Sequence, residues 1–312
     1  MDVSQPTDRA ESRAALAILL DRPGLSAGEL DEHISALVRY ADRRGLSLDA
    51  CLVARDRGRM VSACLCIDSP GRVSSVFIPM LERYLRPSDA IRGLLNESAR
   101  LAGQRRVQMM QAMVSPDAAL EAGVYRESGF DWLAELIYMD CDTSRPIRLP
   151  NGLPELRWVS YGSGTHELFS RVVEGTYVGS LDCVALSGVR AIEDILASHR
   201  AAGEFDPSSW LVGLAGDEPV GVVLVGRIPE RWAHEVVYMG VLPSWRDGGY
   251  GTVLLREALR RARDAGMTVL TLTVDARNVP AQRLYRRFGF WETSRRSVWM
   301  RLLPAMESGS KA

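Results

Sequence analysis

Between Val241 and Thr252 the chain reads Val-Leu-Pro-Ser-Trp-Arg-Asp-Gly-Gly-Tyr-Gly-Thr, with glycines at 248, 249 and 251. Three glycines in four residues let the backbone turn successive N–H groups toward one point. A helix starting at the last of them adds the partial positive charge of its N-terminus. A turn built from Arg246, Asp247, Gly248, Gly249, Tyr250, Gly251 and Thr252 therefore suits a pyrophosphate, although a tight strand–helix connection holding nothing has the same composition. No Lys-Ser/Thr follows the glycines as in a P-loop, and the spacing is not the G-x-G-x-x-G of a dinucleotide fold. The five cysteines (Cys51, Cys64, Cys66, Cys141, Cys183) are odd in number without a C-x-x-C pair, and the four histidines stand apart. Neither a disulfide framework nor a zinc site is indicated, and no metal is expected.

The elements that position this turn are legible in the pattern. Trp210–Leu214 and Pro219–Arg227 read as an antiparallel hairpin and Glu235–Leu242 as a further strand. Gly251–Ala265 sets Val253, Leu254, Leu255, Ala258, Leu259 and Ala262 at helical spacing, with Gly266 as the stop. Met267–Val274 reads as a buried strand, Pro280–Phe288 as a short helix and Trp291–Leu303 as a closing strand. Helices alternating with strands around a mixed sheet predict an α/β (α+β) layer architecture.

The 312 residues are about twice the ~150 of a typical compact domain, so two domains are expected. With 46% hydrophobic and 25% charged residues the composition is globular, and 38 Lys+Arg against 39 Asp+Glu leave no basic arm for nucleic acid. The longest apolar run, Ala14–Leu20, is too short to span a membrane, and the first residues lack a signal peptide's charged and apolar regions. A cytoplasmic protein is expected. Three prolines and a glycine between Asp142 and Pro154 mark a connector. The halves also end alike: Val114…Tyr125-Arg…Gly129-Phe130 and Val274…Tyr285-Arg…Gly289-Phe290 keep one constant offset. The economical reading is two copies of one fold: 1–142, a connector 143–155, a second copy 156–304 and a tail 305–312. Cys51–Arg55, Met60–Ile67, Arg72–Ile78, Ser88–Gly103, Val107–Val114 and Trp132–Cys141 give the first copy's weaker version of the same elements.

Arg246-x-x-Gly249-x-Gly251 after Val241-x-Pro243, followed by Leu272-x-Val274-x-x-x-Asn278 and Tyr285-x-x-x-Gly289-Phe290, resembles the Gcn5-related N-acetyltransferases (GNAT) over roughly residues 205–303. The resemblance implies a mixed sheet splayed between its fourth and fifth strands with acetyl-CoA in the gap. It places Met239, Gly240 and Val241 along the pantetheine and Asp247–Thr252 at the pyrophosphate. Asn278, Ala281 and Tyr285 lie beside the pantetheine and thioester, and Tyr285 is the acid that protonates the departing thiolate. Asp247 departs from the family, where Arg, Lys or Gly is usual, and its side chain is expected to point to solvent. The amine must be unprotonated to attack, so a base near neutral pH is needed. Glu235 is the candidate, because strict alternation would set Glu235, Val237, Met239 and Val241 on one face; His234 is a second candidate. A glutamate found in some members five residues before the motif Asn is Thr273 here.

Aligned on Tyr125 and Tyr285, the first copy has Arg86-Pro-Ser-Asp89-Ala-Ile91 in place of the glycine turn and Ala118 in place of Asn278. It is expected to have lost acetyl-CoA binding and to serve as scaffold or substrate wall. The tandem mycothiol synthases are similar through Phe205-Asp206-Pro207 and through the run from Glu235 into Gly240-Val241-Leu-Pro243. Their His-Pro-Glu stretch, however, has no counterpart in Tyr177–Leu186. Glu174 and Asp182 fall where acceptor loops lie and are candidates to bind an amine, or equally helix-cap and surface residues. The expected function is acetyl transfer from acetyl-CoA to the primary amine of a small molecule. A non-catalytic acyl-CoA sensor and an acetyltransferase of peptide or protein amines are the alternatives. Oligomeric state is not readable from the sequence.

Overall fold

The structure, a computed structural model, describes residues 1–81, 88–145, 151–186 and 188–304. The tail 305–312, part of the expected connector, and Arg86 and Pro87 of the first copy's altered turn lie outside these. The chain divides into two compact units, Met1–Leu133 with Ser297–Ala312, and Ala134–Arg296.

The first unit opens with β1 (Asp2–Ser4), α1 (Arg9–Leu20) and α2 (Ala27–Arg44). Ser26 and Glu29 form a reciprocal capping box at the start of α2, and Gly45 ends it in the left-handed region. The hairpin expected from sequence is β2 (Cys51–Asp56) and β3 (Arg59–Ser69), followed by β4 (Val73–Phe77), α3 (Ser88–Gln104), β5 (Met109–Val114) and α4 (Ala119–Glu127). The strands run in the order β1-β2-β3-β4-β5, with only β4 and β5 parallel.

The next strand, β6 (Asp131–Asp142), leads into the second unit. There follow β7 (Arg157–Ser160), α5 (His166–Tyr177), α6 (Ile192–Ala201), β8 (Glu204–Ala215), β9 (Glu218–Ile228) and β10 (Ala233–Val241). The unit continues with α7 (Tyr250–Asp264), β11 (Val269–Asp275), α8 (Val279–Arg287) and the beginning of β12 (Trp291–Leu302). Strand order is β6-β11-β10-β9-β8-β7, antiparallel except for β10 against β11. On one face, Leu254, Leu255, Ala258, Leu259 and Ala262 of α7 pack on Val223, Val225, Leu270 and Leu272. Each of these leucines and valines contributes about 1.5–3 kcal/mol by leaving water. On the other face, Phe169, Val172 and Val173 of α5 and Leu196 of α6 cover Val212, Val222 and Leu224.

The compact units are bounded differently from the sequence repeat, because the closing strand of each half is used elsewhere. Leu136–Asp142 of β6 pairs antiparallel with all of β11 in the second unit. Ser297–Leu302 of β12 pairs antiparallel with all of β5 in the first.

Candidate functional site

In the second unit β10 and β11 pair in parallel only from Ala233↔Val269 to Val236↔Leu272. Beyond that point β10 stays on β9 as far as Val241↔Gly221, while β11 stays on β6 as far as Asp275↔Leu136. The two strands thus part, and Val237–Val241 keep one backbone edge free of a strand partner. Close packing from the α5 side holds β10 in that course. A Cβ on Gly240 would lie 2.6 Å from Thr176 Cβ, and one on Gly175 would lie 2.7 Å from Leu242 Cδ2.

The glycine turn follows directly. Asp247 (φ +64°) and Gly249 (φ +81°) are left-handed on either side of Gly248, a backbone alternation that gathers N–H groups into a concavity. Aspartate tolerates this region better than most side chains. The backbone N–H groups of Asp247, Gly248, Gly249, Tyr250 and Gly251 find no acceptor among the described residues, and they run consecutively into the start of α7. Thr252 is the first to donate back into the turn, 3.0 Å to the Gly249 carbonyl. Arg246, expected among the cofactor ligands, has its guanidinium elsewhere: it donates to the carbonyls of Val241 (3.1 Å), Thr176 (3.0 Å), Val178 (2.7 Å) and Gly179 (3.1 Å). Its geometry is that of a tie between the end of α5 and the end of β10. Tyr250 packs edge-on against Trp245, 5.3 Å between centroids.

Asn278 is the N-cap of α8, its side-chain oxygen accepting from the Ala281 N–H at 3.3 Å. One turn later Tyr285 is buried at 7% exposure, its ring 5.8 Å from Phe290. Burial pushes its phenol up from the ordinary value, and the facing Asp182 carboxylate and Tyr238 add to the shift. The phenol is protonated at neutral pH. Asp182 comes from the segment between α5 and α6; its Oδ1 accepts the Asp275 N–H at 2.8 Å, and its own pKa is raised, by burial first. Glu174, the other acceptor candidate, is exposed on α5. The structure brings Asp182 to Tyr285 and leaves Glu174 outside.

Strict alternation along β10 fails. Val236 pairs with Val225 and Tyr238 with Leu224, so Val237 is an extra residue in a β-bulge. One added residue reverses the facing of everything beyond it. Val236, Met239 and Val241 lie with α7, whereas Tyr238 lies with α5 and α6. By register Glu235 shares the α5 and α6 face with Tyr238, and the expected grouping of Glu235 with Met239 and Val241 is overturned. Burial raises the Glu235 carboxyl pKa, with Arg231 opposing. His234, one residue earlier, therefore points to the α7 face; it is 2% exposed, and burial followed by Arg227 lowers its pKa.

The Glu235 face carries further side chains that sequence reasoning did not single out. Across β10, β11 and β6 the row Glu235–Thr271–Asp140 continues beside Thr273–Tyr138. Asp140 pairs with Arg231 at 3.0 Å, and burial raises the Tyr138 phenol. The alternation of Leu136, Tyr138 and Asp140 with buried Ile137, Met139 and Cys141 marked a two-faced strand, but not which sheet would take it. Tyr238 donates or accepts at 2.7 Å with Thr176 Oγ1 and stacks between Tyr177 (5.3 Å) and His199 (5.2 Å), an association with no sequence signal.

In the first unit, Tyr125 is 1% exposed and its hydroxyl donates to the Val76 carbonyl at 3.5 Å, while Asp89 pairs with Arg92 in the first turn of α3.

Residues 188–290 match the model of the acetyltransferase (GNAT) family. A mycothiol acetyltransferase of Thermobifida fusca is 25% identical over 94% of both chains. Another, of Nocardiopsis dassonvillei, is 40% identical over 26% of this chain and 21% of its own. Among solved structures, a GCN5-related N-acetyltransferase from Sphaerobacter thermophilus shares the fold with a TM-score of 0.63 at 18% identity, covering 99% of this chain and 98% of that one. The glycine turn, the parted strands and the α8 tyrosine all lie within the stretch that matches the acetyltransferase (GNAT) family model, and over nearly its full length the chain is similar to a mycothiol acetyltransferase.

Proposed function

We propose that the second unit transfers an acetyl group from acetyl-CoA to the primary amine of a small molecule by direct attack. The observation that carries this reading is the parting of β10 from β11 at Val236, on the strand that leads into five successive N–H groups without an acceptor among the described residues. The N–H groups of Asp247–Gly251, with Thr252 behind them, suit a pyrophosphate. The unpaired edge of Val237–Val241 suits an amide-bearing arm, and Asn278 and Ala281 border it at the start of α8. Arg246 supports this site by fixing the strand end rather than by touching the ligand. Acetyl-CoA supplies an activated thioester carbonyl.

This chain's own residues then manage two protons. Glu235, buried with a raised pKa, accepts the proton of the acceptor ammonium, directly or through water, and Tyr285 donates its phenolic proton to the sulfur. N–H groups on the free edge near Val241 stabilise developing negative charge on the carbonyl oxygen. Asp182 faces Tyr285 and lines the acceptor side with Tyr138 and Asp140. The named activity of the Thermobifida fusca relative on mycothiol supports a small-molecule acceptor. Chemistry is confined to this unit: in the first, Asp89 replaces a glycine, and the Tyr125 phenol is engaged by a main-chain carbonyl. Among the described residues no helix is long and apolar enough to cross a membrane.

Calorimetry with acetyl-CoA, followed by thiol release across a panel of small amines, tests the reading. Binding with amine-dependent CoA release is expected. Binding without release for any amine, alone or on a peptide, would instead indicate a sensor, and no binding at all would refute the cofactor site.

A further inference from the structure

Asp275, at the end of β11, has no exposed surface and no role in the chemistry above, yet it sits at a dense junction. Its backbone N–H donates to Asp182 Oδ1 at 2.8 Å, and its own Oδ2 accepts the Cys183 N–H at 3.1 Å. The bonds run in opposite directions between the same two stretches of chain, so neither stretch can slide without breaking one. Arg277 closes the junction, donating from its backbone N–H to Oδ1 (2.8 Å) and from its guanidinium to Oδ2 (2.6 Å). Gln282 of α8, one turn before Tyr285, donates to the Asp275 carbonyl at 3.4 Å and the Ala276 carbonyl at 2.8 Å.

Asp182, Cys183 and Asp275 together have the look of a cation site, and the surroundings argue otherwise. The Arg277 guanidinium already neutralises Asp275. Burial and the two carboxylates hold the Cys183 thiol up at about 12, hence protonated. Cys183 itself is in the left-handed region (φ +46°), a conformation that a non-glycine residue adopts only when its surroundings impose it. What the junction does hold is the segment Ser180–Leu186, pinned to the end of β11 with Asp182 near enough to Tyr285 to raise its phenol.

We propose that Asp275 is a positioning residue for the acceptor: with Arg277 it latches the segment between α5 and α6 to β11, fixing the wall that aligns the incoming amine with Tyr285. This rests on the acetyltransferase reading for its kinetic consequence, but not for its structural one. A latch of this kind acts on orientation, and small misplacements of reacting groups are costly in rate. The side-chain bonds of Asp275 reach only Cys183 and Arg277, and α8 is held through main-chain carbonyls that a substitution at 275 retains, so acetyl-CoA affinity should change little.

The test compares Asp275→Ala and Asp275→Asn in the full chain. Asp275→Ala should raise the KM for the best amine of the panel and lower kcat, together about 10-fold to 100-fold in kcat/KM, with the acetyl-CoA Kd within twofold. Asp275→Asn keeps one oxygen for the Cys183 N–H but turns its amide toward the Arg277 N–H and gives up the ion pair, so it should recover only part of the loss. Hydrogen exchange gives a readout independent of activity: the amide of Cys183 should lose protection in Asp275→Ala and keep it in Asp275→Asn, in the native chain without ligand. Should Asp275→Ala fail to fold, Arg277→Gln, which loosens the same carboxylate, should raise Cys183 exchange and amine KM together. Unchanged Cys183 exchange in Asp275→Ala, or an acetyl-CoA Kd that shifts as far as the amine KM, would overturn the latch. Altered exchange in a chain that shows no acetyl transfer would leave the latch standing and remove the proposed function.

Discussion

In the proposed mechanism Tyr285 and Glu235 carry opposite demands, and burial serves both. The phenol must hold its proton until sulfur needs it; burial and the facing Asp182 keep it protonated. Tyr285→Phe should reduce kcat by about 100-fold, within the range of general acid catalysis, with the acetyl-CoA Kd unchanged by calorimetry. The carboxyl of Glu235 must accept a proton near neutrality, and its raised pKa moves it in that direction. Activity should therefore rise with pH through the raised Glu235 value, and Glu235→Gln should abolish that limb in a kcat/KM profile. The same burial costs stability. A carboxyl whose folded pKa is raised favours the fold below its unfolded pKa and loses that contribution as pH rises through the folded one. Glu235→Gln should thus be more stable than the native chain at neutral pH in urea titrations. His199 is the converse case, lowered to about 4 mainly by burial, with Arg190 adding. The unfolded chain binds the extra proton between pH 6.5 and about 4, so stability should fall over that window by at most about 3 kcal/mol. His199→Phe should flatten that slope in thermal melts.

At the scale of elements, the turn and the helices were legible because their signals are local. Three glycines, a period of 3.6 residues through Val253–Ala262 and a proline in the first turn of α8 each act within a few residues. What was not legible was decided across strands. The bulge at Val237 depends on how β10 seats on β9, and nothing in Glu235-Val-Val-Tyr-Met announces it; yet it determines that Glu235 faces α5 and α6 rather than α7. The bonding of Arg246, expected among the cofactor ligands, was illegible for a similar reason: the four carbonyls at the ends of α5 and β10 that take its guanidinium are brought together by tertiary packing. Since Gly240 lies against Thr176, Gly240→Ala should cost about 1–3 kcal/mol by overpacking, measured by denaturant. Deleting Val237 would close the bulge with Val236 still on Val225 and Tyr238 still on Leu224, and should leave Glu235 on the α5 and α6 face, with the pH–rate limb assigned to it retained.

For the whole molecule, two copies were visible in the recurring Val, Tyr, Gly and Phe, but the use of the closing strands was not. The second unit needs Leu136–Asp142 on β11, and the first needs Ser297–Leu302 on β5. A fragment beginning at residue 143 therefore exposes the whole of β11 as a bare edge, a template for aggregation. Such a fragment should be insoluble or unfolded by circular dichroism, and co-expression with residues 1–142 should recover it.

This interlacing also sets a timetable for biosynthesis. A ribosome that has released residues 1–133 has delivered every piece of that unit except the stretch from residue 297, so its completion must wait until the second unit has been translated. Nascent chains stalled near codon 297 should remain protease-sensitive over residues 1–133 while residues 134–296 resist, and the strand Ser297–Leu302, far from the proposed chemistry, governs when the first unit closes.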